Sequence, residues 1–233
     1  MIPFLIMVSL PHMAKAERFT KSGNTRYFQH IDSHLKAYFV GFIAADGCIN
    51  KPSRGGQDRL SIGLHIQDQI VLEILKSELN APNNISNATS TMVQLQISCQ
   101  ELCDDLRQYG IDYRKTLNMP NILPLVPEEF RNSLLLGIMD GDGCIYQQKR
   151  NIKYVDGTTK PYYTPTIIFN GSRALLEGIA DYLEISKDYV REIKSICEFR
   201  VQLKELRERV FTLLYKDCPF YLIRKHNKFV RIE

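Results

Sequence analysis

Two ten-residue stretches of this chain are nearly alike, and their recurrence constrains the fold more than any other feature of the sequence. Residues 38–47 (YFVGFIAADG) and 134–143 (LLLGIMDGDG) are apolar, have helical spacing, contain an internal glycine and end in Asp-Gly. Their aspartates, Asp46 and Asp142, lie 96 positions apart (142 minus 46). A segment that recurs in this way predicts a chain built from two equivalent halves.

The internal glycines, Gly41 and Gly137, occupy the same place in the two segments. Because glycine has no side chain, two helices that meet at these residues can approach more closely than the usual ~8–10 Å between helix axes. Their C-terminal ends would then lie side by side. Each end brings an aspartate, Asp46 or Asp142, and the negative pole of a helix dipole.

Two carboxylates in such a place repel each other unless cations lie between them. Hard divalent ions with oxygen ligands, Mg²⁺ foremost, suit that environment, and metals held between carboxylates can activate water for phosphodiester hydrolysis. An ordinary buried helix that ends in an Asp-Gly turn would explain either segment alone. A calcium-binding EF-hand loop that starts at Asp140 is excluded, because Ile145 and Asn151 stand where that loop requires glycine and glutamate.

The starts of the two glycine-bearing helices have recognisable signals. Asp32 or Ser33 is a suitable N-cap for the first helix. For the second, Pro127 suits the first helical position, and Glu128 and Glu129 complement the positive end of the dipole.

After each Asp-Gly pair the same order of elements recurs. Polar–apolar alternation and helical spacing predict strands at 48–51, 59–67 and 92–98 and helices at 69–79 and 101–109 in the first half. The second half repeats them as strands at 144–153, 162–170, 189–193 and 196–202 and helices at 173–183 and 205–215. We therefore predict an α+β fold, a pseudo-symmetric pair of αββαββα halves that each present an antiparallel sheet.

Polar residues alternate with the apolar ones along the predicted strands, and we place them on the open face of each sheet. They are Arg59, His65, Gln67, Gln94 and Gln96 in the first half, and Tyr146, Gln148, Arg150, Thr166, Asn170 and Arg200 in the second. Such side chains can read base edges, and a β-ribbon fits the major groove of DNA. In an isolated strand the same alternation more often marks a solvated sheet face. The basic residues Lys149, Arg150, Lys153, Arg224, Lys225 and Lys228 are further candidates for phosphate contact.

Composition agrees with a folded intracellular protein. The chain has 233 residues, of which 44% are hydrophobic, and a net charge of +4 that permits nucleic-acid binding. Six cysteines form no CxxC pair and no zinc-type spacing, which favours reduced thiols in an intracellular compartment, whether cytoplasm, nucleoid or organelle matrix. The apolar residues 1–10 are too few to span a bilayer, and we expect no membrane association.

Residues 38–47 and 134–143 resemble the LAGLIDADG motif of a family of homing endonucleases, and two copies in one chain resemble its single-chain form. The resemblance implies a saddle of two halves over duplex DNA that cuts both strands at a long, asymmetric site. It divides the chain into an N-terminal extension (1–32), a first half (33–120) and a second half (121–233). It also implies that Asp46 and Asp142 are catalytic and bind two or three divalent ions, with Ala45 and Gly141 as further metal contacts.

The chain departs from the family's pattern in two places. Ala44 stands where the motif has its earlier aspartate, which the second copy keeps as Asp140. A lysine that the family often carries near the end of the fourth strand is replaced by Ser98 and Gln202. Candidates for the missing charge are Lys115, Lys194 and Lys225.

These observations favour a monomeric, Mg²⁺-dependent, site-specific DNA endonuclease encoded by a mobile intron or intein. The alternative is a maturase that binds intron RNA and assists its splicing. A third interpretation is a DNA-binding regulator that has lost cleavage. Retention of both Asp46 and Asp142 argues against the third and weakly against the second.

Overall fold

The computed structural model, which describes residues 22–52 and 55–232, contains two sets of elements in the same order. The first comprises α1 (His34–Asp46), β1 (Gly47–Asn50), β2 (Arg59–His65), α2 (Gln69–Glu78), β3 (Ser86–Asn87), β4 (Met92–Ser98) and α3 (Gln100–Arg107). The second comprises α4 (Arg131–Gly141), β5 (Cys144–Lys153), β6 (Thr159–Gly171), α5 (Arg173–Tyr182), β7 (Val190–Ile193), β8 (Ile196–Val201) and α6 (Lys204–Tyr215), followed by α7 (Ile223–Ile232). The predicted αββαββα order is confirmed in both halves, whereas α7 was not predicted.

Each half folds around one four-stranded antiparallel sheet. The strand orders are β1-β2-β4-β3 and β5-β6-β8-β7, which are the same topology. In both sheets the strand that follows the glycine-bearing helix lies at an edge. β1 begins directly after α1, and only Asp142 and Gly143 separate α4 from β5. The aspartates are therefore held at equivalent corners of the two halves.

Helix α1 begins with the predicted serine cap. The Ser33 hydroxyl accepts a hydrogen bond from the Lys36 backbone N–H at 3.3 Å, and Asp32 instead pairs with the Lys36 ammonium at 2.9 Å. The start predicted for the second helix was early. Pro127 precedes a 3-10 turn (Glu128–Phe130), and the α-helix begins at Arg131. Helix N-termini are often wound as a tighter turn of this kind.

The alternating strands bury their apolar faces as expected, but the strand predicted at 59–67 is shorter. It ends at His65, because Ile66–Asp68 form a 3-10 turn that the His65 ring caps by accepting the Gln67 backbone N–H at 3.2 Å. Ile66 is consequently exposed, and Gln67 lies beyond the sheet rather than on its open face.

The segment before Ser33 takes part in the first half. Tyr27, Phe28 and Ile31 are buried in the hydrophobic core. The apolar residues 1–10 of the predicted N-terminal extension lie outside the described residues, and the domain boundaries stay a prediction. Among the described residues, no helix combines the length and the apolar character that a membrane span requires.

Helices α1 and α4 meet backbone to backbone. A Cβ atom at Gly41 would lie 2.0 Å from the Leu134 carbonyl oxygen, and one at Gly137 would lie 2.0 Å from the Tyr38 carbonyl oxygen. The two contacts are equivalent, because Tyr38 and Leu134 are separated by the same 96 positions as the glycines. No side chain of any kind fits at either place.

We expect Gly41→Ala or Gly137→Ala to lower the free energy of unfolding by about 3 kcal/mol or more, the upper end of the overpacking range, because backbone rather than a flexible side chain must move. Urea unfolding measures the loss. Gly63→Ala is the matched control, since a Cβ at that exposed strand position would meet only the Val93 carbonyl oxygen, at 4.0 Å. Equal stability of the Gly41, Gly137 and Gly63 variants would contradict the close helix contact.

Candidate active site at the paired helix ends

The C-terminal ends of α1 and α4 touch. Asp46 is the last residue of α1, and Asp142 caps α4. A Cβ atom at Gly141 would lie 2.3 Å from the Ala45 Cβ and 3.4 Å from the Asp46 Oδ2 atom. Only one of the two equivalent positions, 45 or 141, can therefore carry a side chain, and the Asp46 carboxylate lies against the end of the opposite helix.

The environment of the helix ends disfavours the ionised form of both carboxylates. Burial raises the pKa of Asp46 to about 6, and the negative charge of Asp142 adds to the effect. The Asp142 side chain is accessible from the surface, but the surrounding protein still desolvates it and raises its pKa. In this arrangement the ionised forms of both carboxylates are disfavoured. A cation bound between them would stabilise the ionised forms.

Two buried lysines cap the same helix ends. The Lys115 ammonium donates to the Ala45 carbonyl oxygen at 2.9 Å. The Lys225 ammonium donates to the carbonyl oxygens of Met139, Gly141 and Gly143 at 2.7, 2.9 and 2.9 Å. Each lysine thus opposes the negative pole of the glycine-bearing helix in its own half.

Burial lowers the pKa of both lysines, that of Lys225 to about 8. The carbonyl groups of Ala45 and Gly141, which the family resemblance implied as metal contacts, already accept these ammonium groups. A carbonyl oxygen has two lone pairs, so the lysine bond leaves one acceptor position on each.

Of the three lysines considered for the missing charge, the structure brings two to the helix ends. Lys194 lies instead in the exposed turn between β7 and β8, with a φ angle of 57°. The pair of Lys115 and Lys225 was hard to find in the sequence, because their separation of 110 positions (225 minus 115) differs from the 96 of the aspartates. Insertions between the motif and the lysine of the second half conceal the equivalence.

Asp140, the extra acidic residue of the second motif, is buried beneath the site. Its Oδ2 atom accepts hydrogen bonds from the Tyr38 hydroxyl at 3.0 Å and from the Leu222 backbone N–H at 2.8 Å. In the other half, Leu134 corresponds to Tyr38 and Ala44 corresponds to Asp140. Neither Leu134 nor Ala44 has a polar side chain. The departure at Ala44 therefore leaves no donor unpaired. Through its bond to Leu222, Asp140 also connects the segment before α7 to the pair of helices α1 and α4, and α7 carries Lys225.

The donor set fits a small, hard cation. No group of three histidine, cysteine, aspartate or glutamate side chains in the described ranges could hold a metal ion. The candidate ligands are therefore the carboxylates of Asp46 and Asp142 with nearby carbonyl oxygens. Mg²⁺ is commonly bound by one or two carboxylates and keeps several of its waters, so this sparse set of oxygen atoms suits it.

The polar face of the first sheet carries Arg59, His65, Gln94 and Gln96, as predicted from their alternation. The Arg59 guanidinium donates to the Ser98 hydroxyl at 3.2 Å and to the Gln96 side-chain oxygen at 3.3 Å. Arg59 and Gln96 are both exposed. The face is thus a connected row of donors and acceptors open to solvent.

The second sheet differs at three of the predicted positions. Thr166 is on the polar face but fully buried, because the Gln202 side chain covers it and donates to its hydroxyl at 3.1 Å. Asn170 donates to the Asp142 carbonyl oxygen at 2.8 Å, which places it beside the catalytic candidates. Arg200 is paired with Glu198 at 2.8 Å. Thr166 therefore offers no surface for a base contact, whereas Tyr146, Gln148 and Arg150 retain theirs.

The C-terminal basic residues do not form the free cluster that the sequence suggested. Arg224 pairs with the buried Asp68 of the first half, with Nε 2.7 Å from Oδ1, and Lys225 is buried at the helix ends. Lys228 is exposed. Helix α7 therefore links the two halves through Arg224 and serves the site through Lys225.

Several solved structures share this fold over most of the chain. The LAGLIDADG meganuclease I-AabMI bound to uncleaved DNA is 16% identical, with a TM-score of 0.63, and the match covers 84% of this chain and 87% of that one. The I-LtrWI LAGLIDADG homing endonuclease bound to target DNA is 15% identical, with a TM-score of 0.61 and coverage of 90% and 89%. Meganuclease I-SmaMI bound to uncleaveable DNA is 11% identical, with a TM-score of 0.60 and coverage of 87% and 88%.

No protein-family model matches the sequence, and no curated protein matches it. At these identities the structural likeness establishes the fold. The chain has the LAGLIDADG meganuclease fold, with its two pseudo-symmetric halves.

The raised pKa of Asp46 predicts how stability depends on pH without divalent ions. Because its folded-state pKa, about 6, exceeds the ordinary 3.8, folding favours the protonated acid. The ionised carboxylate of Asp46 therefore destabilises the folded state. This destabilisation is fully present above pH 6 and is lost as the pH falls towards 4. In EDTA, we expect the gain in unfolding free energy from pH 7.5 to pH 5 to be larger in the wild type than in Asp46→Asn by on the order of 1 kcal/mol.

Urea unfolding at the two pH values measures this difference. Asp46→Asn removes the titrating group and leaves Asp140 in place, so the comparison isolates Asp46. Addition of Mg²⁺ at pH 7.5 should stabilise the wild type more than the variant. If the unfolding free energies of the two proteins changed equally with pH, folding would not raise the pKa of Asp46.

Proposed function

We propose that this chain, which has the LAGLIDADG meganuclease fold, is a homing endonuclease that cuts both strands of a specific duplex DNA site. The observation that carries the proposal is the abutment of two helix C-termini that each end in an aspartate, between two sheets with polar open faces. The solved structures of the same fold include meganucleases bound to DNA. We further propose that it acts as a monomer, since both halves lie in one chain.

Asp46 and Asp142 would hold the divalent ions, with Mg²⁺ the best fit to the donor set. Bound Mg²⁺ supplies Lewis-acid activation of water and stabilisation of a leaving oxygen in phosphodiester hydrolysis. The chain contributes the two carboxylates close together, because the backbone contact of α1 and α4 brings the two helix ends side by side.

Lys115 and Lys225 have two roles in this proposal. Their ammonium groups neutralise the helix poles, and they place positive charge where the phosphate backbone of bound DNA would pass between the halves. The pKa of Lys225, lowered to about 8, also puts it near the range in which it can exchange a proton at neutral pH.

The protein would work in a reducing intracellular compartment, which agrees with six free cysteines, three of them buried. Encoding by a mobile intron or intein fits a site-specific endonuclease of this fold. No contact or residue of the described part favours intron RNA over duplex DNA, so the maturase stays the alternative that the cleavage experiment addresses.

The test is cleavage of a plasmid that carries the joined flanking sequences of the gene's host site. We expect the wild type with Mg²⁺ to linearise it, and Asp46→Asn or Asp142→Asn to cut at least about 100-fold more slowly while binding the same DNA, since loss of a metal-binding carboxylate removes the activated water. Glu129→Gln is a matched control, because Glu129 is an exposed acid near the opposite end of α4.

Undiminished cutting by either asparagine variant would refute the metal assignment. Retention of intron RNA by a protein that never cuts the plasmid would instead support the maturase.

A further inference from the structure

Arg224 and Lys225 are neighbours in α7, but they bind opposite halves of the molecule. The Arg224 guanidinium donates two hydrogen bonds to the Asp68 carboxylate of the first half, with Nε 2.7 Å from Oδ1. The Lys225 ammonium is held by three carbonyl oxygens at the end of α4 in the second half. Successive helical residues point roughly 100° apart, so these two side chains hold α7 from two directions.

The Asp68 carboxylate is committed to Arg224 rather than to its own helix. Asp68 is the N-cap residue of α2, a position where an aspartate usually accepts a hydrogen bond from a backbone N–H of the first turn. Its side chain makes no such bond, and its two oxygens accept from Arg224 instead. A carboxylate and a guanidinium joined by two bonds have a defined relative orientation. The pair therefore fixes where Arg224, and with it the start of α7, lies.

Lys225 depends on α7 for its place at the site. Its side chain is 5% exposed, and a buried ammonium has given up its hydration for the bonds that its new partners supply. The four-carbon stem of a lysine is flexible, so a small shift or rotation of the helix lets the ammonium return to solvent. The placement of α7 consequently determines whether this charge stays at the helix end.

Further along α7, the contacts are apolar. Phe229 packs against the rings of Phe211 and Tyr215 in α6, at centroid distances of 5.4 and 5.6 Å. Burial of apolar surface holds a helix against its neighbour but is not directional. The bond of Arg224 to Asp68 adds the direction, and it does so from the first half.

The segment that carries Lys115 is held in a comparable way. Lys115 begins a 3-10 turn (Lys115–Leu117), and the nearby Met119 carbonyl oxygen accepts a hydrogen bond from the Ser172 hydroxyl. Ser172 is the N-cap residue of α5, the helix of the second half that corresponds to α2. Each lysine segment is thus bonded to an N-cap residue in the half whose helix end that lysine does not cap.

We propose that Asp68 and Arg224 are positioning residues, which keep the Lys225 ammonium at the end of α4 by fixing the placement of α7. This inference rests on the proposed endonuclease function, in which Lys225 supplies positive charge beside the DNA backbone. In this role neither residue contacts the reacting atoms, because both act through Lys225. The first half therefore completes the site of the second half.

The variant that tests the proposal is Asp68→Asn/Arg224→Met. It removes both charges together, so no buried charge is left without a partner and the net charge near Lys225 is unchanged. Glu184→Gln/Arg209→Met is the matched control. It removes an ion pair whose arginine side chain is equally exposed, 43%, but which lies within the second half.

The first measurement follows Lys225 without DNA or metal ions. Each protein is treated in EDTA with a water-soluble acetylating reagent, and peptide mass spectrometry gives the rate at which each lysine reacts. We expect the Asp68/Arg224 variant to raise the rate at Lys225 by about 10-fold, because local opening of α7 exposes it. Lys115 is also buried but lies outside α7, so its unchanged rate excludes a general loosening of the fold.

The second measurement is the rate of plasmid cutting at saturating DNA and Mg²⁺. We expect the Asp68/Arg224 variant to cut about 10-fold or more slowly, since a small displacement of a group in a site is costly, while its DNA affinity stays that of the wild type. The Glu184/Arg209 control should match the wild type in both measurements. Equal thermal melting of all three proteins checks the fold.

Arg224→Lys is the conservative variant, and it serves if the double variant does not fold. A lysine keeps the charge but not the paired geometry, so acetylation of Lys225 should rise by less than in the double variant, again without a change at Lys115.

An unchanged rate of acetylation at Lys225, or equal increases at Lys225 and Lys115, would overturn the proposal. Weaker DNA binding with an unchanged rate at saturating DNA would also overturn it, because Arg224 would then be a DNA contact. If the wild type cuts no plasmid but Lys225 becomes reactive in the variant, the endonuclease function fails and the positioning of Lys225 is supported. If the wild type and the variant cut equally fast, the endonuclease function is supported and the positioning role fails.

Discussion

The backbone contact between α1 and α4 determines the rest of the architecture. With no Cβ at Gly41 or Gly137, each helix lies against a carbonyl oxygen of the other, and the helix ends lie side by side. Two negative dipole poles and two carboxylates are then forced into one region. Two buried lysines offset part of this negative charge, and the oxygen atoms of the site can bind cations that offset the rest.

The pseudo-symmetry is broken where close packing requires it. Ala45 faces Gly141 because there is room for one methyl group. The Tyr38–Asp140 hydrogen bond has no counterpart at Leu134 and Ala44, and both pairs are internally consistent.

Much of the fold could be predicted from the sequence, because periodicity and an internal repeat are local signals. The alternation in β2 and β4 located both strands, and the paired Asp-Gly segments located the helix ends. Gln67 was misplaced because the His65 ring starts a tight turn that no alternation reveals. Thr166 was misjudged because Gln202, distant in sequence, covers it.

The parts of the site that the sequence concealed arise from tertiary contacts. Lys115 and Lys225 lie in segments of unequal length after their motifs, and only the folded chain shows that both reach a helix end. Helix α7 was missed for a related reason, since Lys225, which is buried in it, is recognised only by what it contacts.

The ion pair of Arg224 with Asp68 joins α7 to the first half, and it adds to the peptide linker and the α1–α4 contact that also connect the halves. A chimera that takes one half from another protein of the same fold would therefore inherit a mismatch. Asp68 would remain buried without its guanidinium, or Arg224 would meet a surface that has no carboxylate. Exchange of halves in this scaffold is accordingly limited by the Arg224–Asp68 pair, and position 68 has to be exchanged together with α7.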